Sequence, residues 1–312
     1  MSDLALVFPG QGAQEVGMLA DLAAEYPVVQ ETFAEASAVL GFDLWALAQQ
    51  GPESELAKTA ITQPIVLTAS VATYRVWRAR TAATVRAMAG HSLGEYTALV
   101  CSDAMAFADA VRLVRLRGEA MQRAVPEGVG AVAAVLGIDD DVTARCCAEA
   151  SALGVVSCAN YNSPGQVVIA GASAAVDRAI ELCKAAGAKR AMRMALSVPV
   201  HCALMAPAAA EMTPALEAVA LAMPSVDVVQ NVDAQVPADV ATIRRKLIEQ
   251  IHQPVQWTRC VEGLAGLGAR RLVECGPGRV LAGLVKRIDK SLAIESAGSQ
   301  AGLAAALELS GA

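Results

Sequence analysis

The motif Gly90-His-Ser92-Leu-Gly94 places a hydroxyl nucleophile between two glycines, a G-x-S-x-G pattern typical of acyl-transfer chemistry. A predicted strand, Val85 to Ala89, precedes it and a helix-forming run follows it. In such a strand-turn-helix the sharp turn exposes the serine hydroxyl, and a side chain at either flanking glycine would clash. The unpaired N–H groups at the start of the helix can stabilise an oxyanion. Ser92 is therefore the candidate nucleophile, with a serine in an ordinary glycine-rich turn as the alternative.

A serine nucleophile needs a base, and His201 is the candidate because it lies on a loop just after the predicted strand Arg190 to Val198. His91 is adjacent to Ser92, and neighbouring side chains near a strand end point in opposite directions. His252 stands near a helix end and is interpreted as a capping or surface residue. The alternative for His201 is a structural histidine whose hydrogen bonds are satisfied.

A cation on a buried helical stripe is the third chemical signal. In the predicted helix from about Asp103 to Arg123, a period of 3.6 residues aligns Ala110, Val114, Arg117 and Met121 on one apolar face. A buried guanidinium is costly unless an anion meets it. Arg117 therefore predicts a socket for a substrate carboxylate, gripped bidentately. An internal salt bridge or a snorkelling side chain is the alternative.

The glycine-rich turn Pro9 to Gln14 follows the short apolar strand formed by residues 4–8. It has neither the third glycine of a dinucleotide-binding fingerprint nor the Gly-Lys-Ser/Thr of a phosphate loop. Gln11 on this turn is placed to offer a side-chain or backbone donor beside the nucleophile. A polar turn residue without such a role is the alternative.

The elements that must position these groups alternate between strands and helices, which predicts a parallel α/β sheet with the active site at the carboxyl ends of its strands. Another helix is predicted to start at Thr62-Gln63-Pro64, with Pro64 near its first turn, and to run to Arg80.

A different pattern begins after residue 126. The predicted order there is β-α-β-β-α-β, the ferredoxin-like unit, over Gly128 to Ile138, Asp141 to Ala152, Val155 to Ala159, Gln166 to Ala170, Ser173 to Ala186 and Arg190 to Val198. The sequence therefore predicts an inserted subdomain at 126–196 and a core formed by residues 1–125 and 197–312. The cleft between them is a natural ligand site.

Composition excludes several classes of protein. The 312 residues are 55% hydrophobic with a net charge of −6, which argues against broad nucleic-acid binding. No apolar run approaches the roughly 20 residues that span a bilayer, and no signal peptide is recognised at the start, so a cytoplasmic protein is expected. The eight cysteines and three histidines show no metal-ligand spacing, so the cysteines are expected to be buried thiols, with no metal and no cofactor.

These motifs together resemble a known family, the malonyl-CoA:acyl carrier protein transacylases of bacterial fatty acid synthesis. The matching segments appear in family order over about 270 residues and are Phe8-Pro-Gly-Gln11-Gly, Thr62-Gln-Pro64, Gly90-His-Ser-Leu-Gly-Glu95, Arg117, Asn160-Tyr-Asn-Ser-Pro-Gly-Gln166, Pro199-Val-His201 with Leu204-Met205, Pro254-Val-Gln-Trp257 and Glu274-Cys-Gly-Pro-Gly278. The fold that the resemblance implies is an α/β-hydrolase-like core with a ferredoxin-like insert.

The resemblance also implies roles for individual residues. Ser92 would be the acylated nucleophile and His201 its base, oriented by the backbone carbonyl of Gln250 rather than by an acid. Gln11 and the N–H of Leu93 would form the oxyanion hole. Arg117 would bind the free malonyl carboxylate. The residues that would line the pocket are Gln63, His91, Asn160 and Asn162.

One position departs from the family pattern. Stand-alone members often have serine before the histidine, and this chain has Val200. Because that neighbour helps to shape the acyl pocket, the tolerance for branched acyl groups is in doubt.

The implied partners are malonyl-CoA and a holo acyl carrier protein, in a ping-pong transfer by a monomeric enzyme. Carrier proteins are generally acidic, so docking needs a local basic patch on this acidic chain. The candidates are Lys189-Arg190, Arg270-Arg271 and Lys286-Arg287, with the first pair also a candidate for CoA phosphates. Solvated surface charge is the alternative for each pair.

Other functions remain open from the sequence. A serine esterase or thioesterase would use Ser92 and His201 but has no need for a buried Arg117. A non-catalytic acyl- or carrier-binding subunit would tolerate loss of Ser92. A malonyl transferase that loads the carrier of a malonate decarboxylase or a polyketide system shares the chemistry and differs only in its partner.

Overall fold

The structure is a computed structural model that describes residues 2–126, 128–194 and 198–311. Its strands are β1 (Leu4–Phe8), β2 (Ala87–Gly90), β3 (Gly130–Leu136), β4 (Val156–Ser163), β5 (Gln166–Ala172), β6 (Arg190–Arg193), β7 (Asp227–Val229), β8 (Arg271–Glu274) and β9 (Ala293–Ser296). Its helices are α1 (Ala20–Glu25), α2 (Val28–Leu40), α3 (Leu44–Gln50), α4 (Glu53–Leu56), α5 (Thr59–Arg80), α6 (Gly94–Cys101), α7 (Phe107–Ala124), α8 (Asp140–Ala150), α9 (Ser173–Ala185), α10 (Ala206–Ala218), α11 (Val240–Gln250), α12 (Trp257–Gly266), α13 (Val280–Ile288) and α14 (Gln300–Ser310).

The larger sheet is parallel throughout, in the order β7-β2-β1-β8-β9. The register pairs Phe8 of β1 with Gly90 of β2, so these two strands end side by side. The loops that follow them, which hold Gln11 and Ser92, therefore meet at one edge of the sheet. This confirms the predicted parallel α/β core.

Both faces of the parallel sheet are buried, as the apolar composition of β1 requires. Leu4, Leu6 and Phe8 pack into the apolar layer that includes α5, α6 and α7. Ala5 and Val7 point the other way, into the layer that includes α12 and α13. Alternate residues of one strand thus hold the two helical layers on opposite sides.

The smaller sheet is antiparallel, in the order β4-β5-β3-β6. Its elements follow the chain order β3-α8-β4-β5-α9-β6, which confirms the predicted ferredoxin-like pattern. Helices α8 and α9 cover one face, where Ala133, Val135, Val167 and Ile169 form their own apolar core. The opposite face is turned towards the parallel sheet and is called the open face below. The division of the chain at 126 and 196 stays a prediction, and residue 196 lies outside the described residues.

Pro64 does not start a helix, contrary to the prediction. Helix α5 begins at Thr59 and Pro64 lies inside it. A proline there has no N–H to donate to the carbonyl four residues earlier, which belongs to Ala60. The guanidinium of Arg115 donates to that oxygen instead, at 3.3 Å. A long-range contact thus satisfies the carbonyl that the local sequence leaves free.

Several elements were not predicted. Strands β7 and β9 have three and four residues, too short for a period to show. Helix α10 includes Pro214 in its interior, a residue that usually argues against a helix. The predicted strand Arg190 to Val198 is shorter in the structure, where β6 ends at Arg193, and residues 195–197 lie outside the described part.

In the described part of the chain, no helix combines the length and the apolar character that membrane crossing requires. All eight cysteine side chains are buried, as expected.

Candidate active site

Ser92 stands at the turn between β2 and α6, with a positive φ of 52°. A Cβ at Gly90 would lie 1.9 Å from the carbonyl carbon and oxygen of Gly94. A Cβ at Gly94 would lie 2.1 Å from the backbone oxygen of Phe8 in β1. Both contacts are far shorter than atoms tolerate, so this turn forms only with glycine at both positions. The backbone is thereby forced to present the Ser92 hydroxyl above the ends of the strands.

The Ser92 hydroxyl contacts His201, with 2.7 Å between Oγ and Nε2. The other ring nitrogen, Nδ1, lies 2.7 Å from the backbone oxygen of Gln250. Because a carbonyl oxygen only accepts hydrogen bonds, Nδ1 must hold the proton and donate it. In the neutral ring Nε2 is then the acceptor of the Ser92 proton. The geometry is that of a nucleophile and a base oriented by a third group.

Burial and the nearby charge of Arg117 lower the pKa of His201 to about 3. The side chain is only 2% exposed, so desolvation of the imidazolium is the larger cause. The imidazole is therefore neutral at physiological pH, in the state that accepts a proton.

Arg117 lies on α7 with 1% of its surface exposed, and burial lowers the pKa of its guanidinium. Nη1 donates to Oε1 of Gln63 at 2.8 Å. Nη2 donates to Oε1 of Gln250 at 2.8 Å and to the Ser92 hydroxyl at 3.1 Å. Among the described residues, Nε has no hydrogen-bond partner and the partners of the other nitrogens are neutral oxygens. The cation thus borders the nucleophile with no carboxylate hydrogen-bonded to it among the described residues, and the nearby charge of the buried Glu95 offsets only part of the cost of burying it.

A pocket of about 310 Å³ lies between the carboxyl ends of the parallel strands and the open face. All of the predicted site residues except Gln250 line it, namely Gln11, Gln63, His91, Ser92, Leu93, Arg117, Asn160, Asn162, Val200 and His201. Gln250 contributes from behind this wall through its contacts with His201 and Arg117. The structure therefore brings the predicted residues together in one place.

His91 turns away from the base, as its position next to Ser92 predicts. Its Nε2 lies 2.8 Å from Oδ1 of Asn162 on β4, and its ring packs 5.5 Å from the ring of Trp257. His91 thus ties the turn of the parallel sheet to the antiparallel sheet across the pocket.

The two predicted oxyanion donors, Gln11 and Leu93, both line the pocket. Leu93 is the residue before the first turn of α6. Gln11 follows Gly10, where a Cβ would lie 2.5 Å from the backbone oxygen of His91. The loop after β1 therefore packs directly on the nucleophile turn, which brings Gln11 into the pocket.

Asn231 was not predicted and is the main addition from the structure. It is fully buried and follows the short strand β7. Its Oδ1 accepts the N–H of Ser92 at 2.7 Å. Only the placement of β7 beside β2 could have revealed it, and that strand is too short to recognise in the sequence.

The basic pairs differ in availability. Arg271 is engaged by the carboxylate of Asp3 and by the backbone oxygen of Leu309. The pairs Lys189-Arg190 and Lys286-Arg287 are exposed. These two pairs remain candidates for binding an anionic partner.

Comparison with known proteins extends the resemblance. The profile of the acyl transferase domain family matches residues 5–297. The malonyl CoA-acyl carrier protein transacylase of Escherichia coli (strain K12) is 57% identical over 309 residues, which are 99% of this chain and 100% of that protein.

Solved structures have the same fold. A malonyl-CoA:acyl carrier protein transacylase from Xanthomonas oryzae superposes with a TM-score of 0.97 at 52% identity, covering 99% of this chain and 98% of that one. A malonyl-transacylase in complex with its type II PKS acyl-carrier protein superposes with a TM-score of 0.96 at 53% identity, covering 98% of this chain and 99% of that one.

Proposed function

This chain belongs to the acyl transferase domain family, among the malonyl CoA-acyl carrier protein transacylases, and we propose that it moves a malonyl group from malonyl-CoA to the phosphopantetheine thiol of an acyl carrier protein. Such a reaction supplies fatty acid synthesis. The single observation that carries the proposal is the contact of the Ser92 hydroxyl with both a neutral imidazole, at 2.7 Å, and a buried guanidinium, at 3.1 Å, whose hydrogen-bond partners among the described residues are all neutral. A hydrolase needs the first contact but not the second.

In the proposed mechanism, the malonyl carboxylate binds Arg117 and so places the thioester carbonyl beside Ser92. Nε2 of His201 takes the hydroxyl proton as Oγ attacks that carbonyl. Gln11 and the N–H of Leu93 stabilise the oxyanion. The tetrahedral intermediate collapses, the CoA sulfur leaves with the proton from His201, and a malonyl ester of Ser92 remains. The carrier thiol then gives its proton to His201 and attacks the ester. The second tetrahedral intermediate collapses, and Oγ of Ser92 leaves and takes the proton back from His201, which completes a ping-pong transfer.

Intact-protein mass spectrometry after brief incubation with malonyl-CoA tests this function. We expect one malonyl adduct per chain that persists in buffer and disappears when holo acyl carrier protein is added, with malonyl-carrier formed in equal amount. An adduct lost to water at the same rate with or without the carrier would indicate an esterase or thioesterase. No adduct at all would indicate a non-catalytic binding subunit.

Replacing Arg117 by alanine is expected to lower the preference for malonyl over acetyl thioesters by roughly 10- to 150-fold, the equivalent of about 1.5–3 kcal/mol for a charged hydrogen bond. The loss should appear for the malonyl substrate, since acetyl has no carboxylate to bind. Ser92 acylation rates with malonyl-CoA and acetyl-CoA measure it. Arg115→Ala on the half-exposed side of the same helix is the matched control. A variant that keeps its malonyl preference would contradict the socket.

The open face offers a path from the pocket to solvent for the rest of the substrate. At the inner end of this path, Met194 and Val132 line the pocket. Four residues back along β6, roughly 13 Å at about 3.3 Å per residue, the register places Arg190 opposite Leu136. Met192, 44% exposed, lies between these ends on the same face.

Two exposed arginines, Arg190 and Arg287, are placed at the outer end of that path by the strand register and by a side-chain contact. Leu136 pairs with Gln166 on its other side, and Nη1 of Arg287 from α13 lies 2.6 Å from Oε1 of Gln166. Arg190 and Arg287 therefore flank one row of the sheet. We propose that the apolar part of the path takes the pantetheine arm and that these two cations bind the phosphate joined to it, which CoA and the holo carrier share.

The double variant Arg190→Glu, Arg287→Glu is expected to raise the KM for malonyl-CoA and for the carrier by roughly tenfold each, with kcat less affected, because exposed charge contacts are individually weak. Steady-state kinetics at low salt measure both constants. Arg145→Glu with Lys184→Glu on α8 and α9 makes the same change in net charge on the covered face and should leave both KM values within twofold. Equal increases in KM in the two double variants would show that Arg190 and Arg287 act only through the net charge of the protein and do not bind the phosphate.

The finer expectations stay predictions: a monomer, a cytoplasmic location, and a pocket altered for branched acyl groups by Val200. The carrier could belong to fatty acid synthesis, to a polyketide system or to a malonate decarboxylase system. The rates at which the three holo carriers discharge the malonyl adduct decide between them.

A further inference from the structure

The backbone at Ser92 is held in an unfavourable conformation. A non-glycine residue at a φ of 52° costs about 1–2 kcal/mol relative to right-handed backbone. The reacting hydroxyl therefore keeps its position only if surrounding contacts fix the peptides on both sides of it. The tight turn leaves no room for a Cβ at Gly90 or Gly94, but the absence of side chains there does not supply those contacts.

Asn231 supplies two of them from a single side chain. Oδ1 accepts the N–H of Ser92 at 2.7 Å, and Nδ2 donates to the backbone oxygen of Gly90 at 2.7 Å. A third contact comes from Nε2 of Gln250, which donates to the Ser92 oxygen at 2.9 Å. Asn231 thus bridges the end of β2 and the nucleophile itself, and the bridge needs both its donor and its acceptor.

A buried carboxylate in turn fixes Asn231. Oε2 of Glu95, on the first turn of α6, accepts the backbone N–H of Asn231 at 2.7 Å. Oε1 accepts Nε2 of Gln230 at 3.2 Å. Glu95 is fully buried, and burial raises the pKa of its carboxyl to about 7. Neither Glu95 nor Asn231 lines the pocket, so the mechanism above gives them no part.

We propose that Glu95 and Asn231 are positioning residues that hold the strained Ser92 peptide, and with it the hydroxyl, at the reach of His201 and of the substrate carbonyl. This inference rests on the proposed function, because it concerns the acylation of Ser92. The two residues act through the backbone and touch no substrate. A misplacement of about 1 Å at a reacting atom costs on the order of 100-fold in rate, even when the chemical groups are all present.

Single-turnover acylation with malonyl-CoA, followed by rapid quench, separates positioning from binding. Asn231→Ala is expected to lower the maximum acylation rate roughly 100-fold and to change the half-saturating malonyl-CoA concentration less than threefold, since Arg117 is untouched. Glu95→Ala should act similarly. Glu95→Gln retains one carboxamide oxygen for the Asn231 N–H, so it should recover most of the rate lost in Glu95→Ala.

Glu274→Gln is the matched control. Glu274 is also a fully buried carboxylate, and it accepts the N–H groups of Leu281 and Ala282 at 3.0 and 2.9 Å, away from Ser92. We expect Glu274→Gln to lower the free energy of unfolding in urea about as much as Glu95→Gln does, and to be acylated within threefold of the wild-type rate. Should Asn231→Ala not fold, the pair Glu95→Ala and Glu274→Ala still decides the question. Each removes a buried carboxylate, but only Glu95→Ala removes the acceptor of the Asn231 N–H.

Three results would overturn the inference: Asn231→Ala acylating within threefold of wild type, a loss confined to the half-saturating concentration, or the same rate loss in Glu274→Gln. A failure of the proposed function is distinguishable in the wild-type chain, which would then either form no malonyl ester or lose it to water at the same rate with or without the carrier.

Discussion

Replacing Ser92 by alanine is expected to remove the malonyl adduct completely and to lower transfer to the carrier by about 10⁴- to 10⁶-fold. The variant keeps the pocket, Arg117 and the oxyanion donors, so substrate should still bind. It lacks the one hydroxyl that His201 contacts at 2.7 Å. The measurements are intact-protein mass spectrometry and the initial rate of malonyl-carrier formation.

Ser102→Ala is the matched control for this change. Ser102 is a buried serine that follows the same helix α6, and its hydroxyl donates a hydrogen bond to the backbone oxygen of Leu99, at 3.3 Å. We expect it to be acylated like the wild type. A malonyl adduct that survives in Ser92→Ala would assign the nucleophile to another residue.

Replacing His201 by alanine is expected to lower the acylation rate by about 10²- to 10⁴-fold, the range for loss of a positioned general base. The Ser92 hydroxyl remains, and Arg117 still donates to it at 3.1 Å. The adduct should therefore form slowly rather than not at all. Rapid-quench acylation measures the rate, and His252→Ala, outside the pocket, is the control. Equal rates in the two variants would exclude His201 as the base.

The pH dependence of kcat/KM tests the state of this base. A base works when it is unprotonated, so the rate falls only as the pH drops through its pKa in the free enzyme. Burial first, and the charge of Arg117 second, hold that pKa at about 3. We therefore expect no loss of rate with a midpoint near 6.5 that can be assigned to His201. In Arg117→Ala the second of these causes is gone, and the acid limb should move to higher pH.

Titration of Glu95, whose pKa burial raises to about 7, is a separate source of pH dependence. The two are distinguished by measuring the profile in Glu95→Gln. A limb near pH 6.5 that persists in that variant would contradict the low pKa of His201.

Arg117 and the glycine-flanked Ser92 could be predicted from the sequence because each depends on a local pattern. A cation on an apolar helical stripe and a serine between two glycines are visible without knowledge of the fold. The ferredoxin-like order was also visible, since strand and helix periods differ clearly there. The structure places these patterns as expected.

Other parts of the site depend on contacts that no local pattern records. Asn231 reaches Ser92 only because the three-residue strand β7 pairs with β2. Gln250 came from the family resemblance alone, and the structure adds that its side chain contacts both Arg117 and Ser92. Pro64 inside α5 is tolerated because Arg115, from another helix, replaces the missing donor. Each case is a tertiary contact that overrides a local preference.

No carboxylate is hydrogen-bonded to the guanidinium of Arg117 among the described residues, and the buried Glu95 offsets its charge only in part. A malonyl group on Ser92 would bring its own carboxylate to that charge and so act as the missing counterion. The acylated chain would then hold Arg117 in a direct ion pair, which the free chain lacks among its described residues. Such an arrangement stabilises the acyl-enzyme intermediate, so the malonyl group would stay on Ser92 until the second substrate binds.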